Sequence, residues 1–131
     1  YREISIPEPF NIRIDKVLPD HTLVDYKTTK HPPVQPTSLQ DTPIEYILQA
    51  GIYAIAYQNK YKVWPSMMVY HFLRTNKSMG IDITQEVLNI TMKISNEVIE
   101  NINAKKFKKN PDNCRWCNFR HVCGLEEISL V

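Results

Sequence analysis

The sequence predicts an α/β fold in which helices pack on a mixed β-sheet. Three observations carry this. Period-two alternation marks short stretches at the start and in the middle of the chain. Two longer stretches have helical periodicity. The two kinds follow one another in the order βββ–α–ββ–α. The 131 residues suffice for one domain with one core, so residues 1–131 are read as a single domain. With 43% hydrophobic and 23% charged residues, the composition is that of a globular protein. No apolar run approaches the roughly 20 residues that a membrane span needs. No secretory signal is present, so a membrane partner and secretion are not expected. The chain opens at Tyr1 and runs straight into strand-like sequence, from which we expect a longer protein truncated at its N-terminus.

Arg2-Glu3-Ile4-Ser5-Ile6 alternates as a short first strand, punctuated by Pro7 and Pro9. Phe10 to Val17 alternates next, with Phe10, Ile12 and Ile14 on one face. Leu18-Pro19-Asp20-His21 reads as a turn and Thr22 to Thr28 as a third strand, so residues 10–28 predict a hairpin. Pro32, Pro33 and Pro36, among Ser, Thr and Gln, make 29–42 an irregular loop. Pro43 sits where a helix would begin, capped by Thr42 or Asp41. Ile44, Ile47, Leu48, Ile52, Ile55 and Ala56 then recur at helical spacing through about Asn59, and Trp64-Pro65 breaks the chain. Ser66 to Arg74 reads as a largely buried strand, Asn76 to Gly80 as a turn, and Gly80 to Ile83 as a short strand. Thr84-Gln85-Glu86 can cap a long helix through about Lys106, with Val87, Leu88, Met92, Ile94, Val98 and Ile99 toward the core. Trp64, Met67 and Met68 are read as core, His71 as a satisfied core histidine, and His21 and His31 as solvent-facing turn residues.

Net charge is only +2, which does not by itself announce a nucleic-acid binder. Basic residues cluster at 105–109, and Arg115 and Arg120 follow. The cluster fits a nucleic-acid contact, and it equally fits a solvated helix end, where cations suit the macrodipole.

The chemistry-bearing residues sit on the second and third strands. Asp15 ends one; Asp25 and Lys27 lie two apart on the other and so project to the same face. Hairpin pairing can bring Asp15 beside them. Two carboxylates on one rim make a hard, oxygen-rich site suited to Mg²⁺ or Mn²⁺. A bound metal makes water easier to deprotonate, and a neighbouring lysine can stabilise charge developing on a phosphate. D-x-K is a common tripeptide, and from spacing alone a surface strand with a rim salt bridge is as good a reading.

The ordered series is more specific. Ile12-Arg13-Ile14-Asp15, then Leu23-Val24-Asp25-Tyr26-Lys27-Thr28, then Gln49-Ala50-Gly51-Ile52-Tyr53-Ala54 resembles the GxID … (L/I)(V/I)DYKT … QLxxYA series of the RecB-like branch of PD-(D/E)XK nucleases. That branch includes the nuclease domains of RecB and AddB and CRISPR-associated RecB-like exonucleases. The resemblance implies a restriction-endonuclease-like core: a mixed central sheet flanked by helices, with a C-terminal cysteine-rich loop. It implies a Mg²⁺- or Mn²⁺-dependent deoxyribonuclease, an exonuclease working in DNA repair, recombination, or phage- or CRISPR-related processing. Asp15, Asp25 and the backbone carbonyl of Tyr26 would hold the metal, and Lys27 would be the catalytic lysine. Gln49 and Tyr53, four apart and hence on one helix face, would position the lysine, the water or the DNA backbone. A bland reading of that pair is a helix edge with an amphipathic Tyr. DNA is the implied partner, as single strands or duplex ends, together with a helicase or recombination protein in cis or trans. The implied setting is the cytoplasm or nucleoid. Ile12 departs from the family's usual Gly, and no residue here matches the His that the family carries upstream. Glu3 falls where the family often has an acidic residue. A chain lacking the upstream helix could be inactive alone. The alternative is a catalytically inactive DNA-binding module of a larger helicase–nuclease protein, which the intact Asp15, Asp25 and Lys27 argue against.

Residues 110–125 form a cysteine segment, with Cys114, Cys117 and Cys123 in a C-x2-C-x5-C pattern. Three closely spaced Cys suit a soft metal in a reducing compartment better than a disulfide framework. The open readings are an iron–sulfur cluster, a zinc site completed by His121, and plain thiols. The segment resembles the C-terminal element of iron–sulfur RecB-like nucleases. That resemblance implies a structural [4Fe–4S] cluster in the full-length protein, its fourth Cys far upstream and outside this chain. Trp116 and Phe119 are expected to pack around the cysteine loop or to stack on a base.

Overall fold

The computed structural model describes residues 3–6 and 12–106. Phe10, the end of the lysine cluster, and the whole cysteine segment with Cys114, Cys117, Cys123, Trp116 and Phe119 lie outside the described residues. The chain divides into two compact units, residues 1–95 and 96–131.

The first unit is a mixed α/β structure. Strands β1 (Ile4–Ile6) and β2 (Ile12–Ile14) pair antiparallel, Ile4 opposite Ile14. The expected second strand breaks at Asp15, and its continuation β3 (Lys16–Val17) joins a different sheet, pairing antiparallel with β4 (Leu23–Lys27). Helix α1 (Ile44–Tyr61) then carries the chain across to β5 (Met67–Phe72), which lies parallel to β4. A parallel pair needs such a crossover because a tight turn cannot reverse the chain twice. β6 (Lys77–Asp82) closes the sheet antiparallel to β5, giving the order β3-β4-β5-β6.

Alternation sets the core. Leu23 on β4 and Met68, Tyr70 and Phe72 on β5 are fully buried, while Met67, Val69 and His71 are half-buried. The largely buried strand expected at 66–74 is therefore buried on one face only. The turn falls at Leu73–Asn76, earlier than the composition implied, with Asn76 in the left-handed region at φ 53°. Gly80, expected where turn gives way to strand, lies inside β6 (which begins earlier, at Lys77), where the side-chain amide of Gln35 donates to its carbonyl (3.2 Å) and accepts from its N–H (2.8 Å). That side chain satisfies edge groups that would otherwise be open to another strand.

Helix α1 differs in two ways from its sequence reading. Pro43 itself is the N-cap, and no side chain caps the helix. Thr42 instead donates to Ser38 O, and Asp41 accepts from Thr37 and Ser38 within the loop. The buried positions are Ile47, Ala50, Gly51, Ala54, Ala56 and Tyr57, whereas Ile44 is exposed. Ala50 and Ala56 join the core with the sheet residues, while Gly51 is where α2 (Gln85–Asn103) approaches closely: a Cβ there would lie 1.8 Å from Thr91 Oγ1. Thr84 accepts from Val87 N–H at 3.3 Å as the α2 cap. Only Val87 and Thr91 of α2 are buried; Met92, Val98 and Ile99, expected in the core, are exposed. Trp64 is exposed too, at the chain break rather than in the core. In the second unit the end of α2 is closed by Lys105 at φ 56°, with Lys106 N–H donating to Asn101 O. Among the described residues no helix is long and apolar enough to cross a membrane.

Candidate active site

The bend at Asp15 and the face of β4 build the site. Lys16 pairs with Val24, so one further step of the same register sets Asp15 opposite Asp25. Asp15 Oδ2 accepts the Tyr26 N–H at 2.9 Å, which fastens the bend to β4. On its other side β4 pairs with β5, where Tyr70 is the partner of Asp25. Asp25 is consequently only 7% exposed. Lys27, two residues on, points the same way, and its Nζ lies 2.9 Å from Asp25 Oδ2. The strand places Asp15, Asp25 and Lys27 together, as their spacing predicted.

The electrostatics are unusual at Asp25. Burial pushes its carboxyl above the ordinary carboxylate range; Lys27 opposes the rise, and the neighbouring Asp15 carboxylate adds to it. Lys27 Nζ is the cationic partner of this buried Oδ2. A carboxylate this buried beside a second one is favoured by positive charge, which Lys27 supplies and to which a bound cation would add. Two adjacent carboxylates fit a hard divalent ion of the Mg²⁺ class, which takes one or two carboxylates and keeps several waters. Among the described residues no group of three or more His, Cys, Asp or Glu gathers. Glu3 is not free to join: just before β1 it forms an exposed ion pair with Arg13 of β2.

Comparison with protein families matches residues 13–124 to the PD-(D/E)XK nuclease superfamily, and the match spans most of the chain, including Asp15, Asp25 and Lys27. The chain belongs to the PD-(D/E)XK nuclease superfamily. The mixed sheet flanked by helices is the restriction-endonuclease-like arrangement that membership requires. PD-(D/E)XK proteins are in general metal-dependent nucleases, and DNA is the substrate that a nuclease domain implies. No curated protein and no solved structure matches the chain.

Other residues of this PD-(D/E)XK domain fall around the trio. Gln49 and Tyr53 are half-buried on α1; Tyr53 packs against the core, and among the described residues no hydrogen bond joins Gln49 to the carboxylates. Tyr70 was not singled out by its sequence. Its ring lies under Lys27 Nζ, 5.6 Å from nitrogen to centroid, and its hydroxyl donates to Tyr46 O at 2.8 Å. Burial holds that hydroxyl well above the usual tyrosine range, with Asp25, Tyr53 and Tyr46 adding to the effect. Strand alternation placed Tyr70 on a buried face, but only the parallel pairing of β4 with β5 reveals which residue it faces. His21, read as solvent-facing, instead pairs its Nδ1 with the Tyr57 hydroxyl at 2.7 Å; His31 is exposed as expected. His71 is half-buried and satisfied by Ser78 Oγ at 3.0 Å.

Proposed function

We propose that this PD-(D/E)XK domain hydrolyses phosphodiester bonds in DNA with Mg²⁺ or Mn²⁺, as an exonuclease of the RecB-like branch. One observation carries the reading: the buried Asp25 carboxylate stands beside a second carboxylate, Asp15, and the Lys27 ammonium. Asp15, Asp25 and the backbone carbonyl of Tyr26 would hold the metal. When bound, such an ion lowers the pKa of a coordinated water and offsets negative charge on phosphate oxygens. Lys27 donates to a phosphate oxygen as its charge grows. Asp15, by holding the Tyr26 N–H, fixes the backbone that carries Asp25 and Lys27. Gln49 and Tyr53, one turn apart on α1, steady the lysine, the water or the DNA backbone.

Further parts of the reading rest on sequence resemblance. Cys114, Cys117 and Cys123 would hold a structural [4Fe–4S] cluster with a fourth Cys elsewhere in the full-length protein. Its setting would be repair, recombination, or phage- or CRISPR-related processing in the cytoplasm or nucleoid, beside a helicase or recombination protein. Mn²⁺ binding to the intact protein, followed by electron paramagnetic resonance, tests the metal site. The wild type should bind Mn²⁺ and the Asp15→Ala/Asp25→Ala variant should not. Equal binding by both, or by neither, would sink the reading and favour an inactive DNA-binding module.

A further inference from the structure

Resting on the nuclease reading, we propose that Tyr70 is a positioning residue: its ring face holds the Lys27 ammonium at the site while Asp25 is engaged by metal. Lys27 carries four flexible methylenes and a strongly hydrated head, and its side chain is 31% exposed. In the structure described, its anionic neighbour at the site is Asp25, at 2.9 Å. The nuclease reading assigns that same carboxylate to a cation. Once the carboxylate serves the cation, its pull on Lys27 falls, and a second cation nearby repels the ammonium. A lysine with no other hold would swing into solvent.

Tyr70 supplies that other hold. Its ring lies 5.6 Å from Lys27 Nζ, within the range in which an aromatic face attracts a cation. The ring is an uncharged partner, so it does not compete for the metal and its attraction does not depend on the ionisation of Asp25. It is also immobile. Tyr70 is fully buried, its hydroxyl is tied to Tyr46 O at 2.8 Å, and its ring meets that of Tyr46 edge-on at 4.7 Å. The parallel register that sets Tyr70 beside Asp25 puts this platform under the lysine two residues along.

The test reads the ring and the hydroxyl apart. In the intact protein, nuclear magnetic resonance should find the Lys27 ε-methylene protons shifted upfield by the ring, and still upfield at saturating Mg²⁺. Tyr70→Phe should keep the shift and Tyr70→Leu should lose it. A Lys27 signal that moves to its ordinary position when Mg²⁺ binds the wild type overturns the proposal. This measurement needs no variant, so it decides even where Tyr70→Leu fails to fold. In DNA cleavage, Tyr70→Leu should lower kcat about tenfold with KM within about twofold, and Tyr70→Phe should restore kcat to within about threefold of wild type. Phe as slow as Leu would overturn the role of the ring. A protein that cleaves DNA, loses cleavage in Lys27→Ala and keeps full kcat in Tyr70→Leu overturns this proposal alone. A wild type that neither binds Mg²⁺ nor cleaves DNA overturns the nuclease reading with it.

Discussion

Replacing Gly51 by Ala should destabilise the first unit, although Ala is the better helix former. A Cβ at that position would lie 1.8 Å from Thr91 Oγ1, 2.7 Å from its Cβ and 2.9 Å from its Cγ2. Rotating Thr91 can move the hydroxyl and the methyl but not the Cβ, and Thr91 is itself buried with its hydroxyl donating to Val87 O at 2.8 Å. The helices must therefore separate. Overpacking of this kind costs about 1–3 kcal/mol, and contact this close belongs at the top of that range. The gain in helix propensity offsets about 1 kcal/mol. The expected net loss is about 2 kcal/mol, seen as a fall in Tm of roughly 8 °C by circular dichroism. Thr91→Ala in the same chain removes two of the three clashing atoms, so the double variant should lose less than the sum of the singles by about 1 kcal/mol or more. A Gly51→Ala protein as stable as wild type, or strictly additive singles, would refute the close approach of α1 and α2.

Asp25→Asn should raise thermal stability in metal-free buffer near pH 8 while abolishing cleavage. The carboxyl of Asp25 is raised in the fold, chiefly by burial, so the native state favours its protonated form. Its contribution is present below the unfolded carboxylate pKa and is lost as pH rises through the folded value; the gain from Asn should accordingly shrink toward pH 4, and a gain that grows on acidification would contradict the sign. Tyr57→Phe removes the partner of His21 Nδ1 and should cost about 1 kcal/mol in urea denaturation; no change would mean that the 2.7 Å contact contributes nothing. Arg13→Ala breaks only an exposed pair with Glu3 and should leave Tm within about 2 °C; a large fall would show the β1–β2 hairpin to depend on it.

The fold class was legible because β2 alternates and both helices carry apolar residues at helical spacing, and the site because Asp25 and Lys27 are two apart on a strand. What failed was local and had physical causes. Gly80 resembled a turn residue, but it serves a close approach: Met67 Sδ lies 2.9 Å from where its Cβ would be, and Gln35 binds its backbone. Isoleucine spacing marks one face of α1, whereas Ala50 and Ala56 are buried in the core and Gly51 is buried against Thr91. The α2 face was assigned by its apolar residues, although only Val87 and Thr91 are buried. Asp15 looked like the end of one continuous strand because the switch between sheets leaves no mark on the alternation of Phe10 to Val17. Tyr70 could not be linked to Lys27 from sequence, since a parallel register is set by a crossover of 39 residues between β4 and β5 (28–66) and not by local pattern.

The proposed metal-dependent nuclease site joins Asp15, Asp25 and Lys27. The most direct measurement is single-turnover cleavage of end-labelled DNA by the intact protein with Mg²⁺ or Mn²⁺, compared with Asp25→Ala and Lys27→Ala. Cleavage by the wild type, abolished by metal chelation and slowed on the order of 100-fold or more in each variant, is the predicted result. Cleavage that survives Asp25→Ala and Lys27→Ala would contradict it.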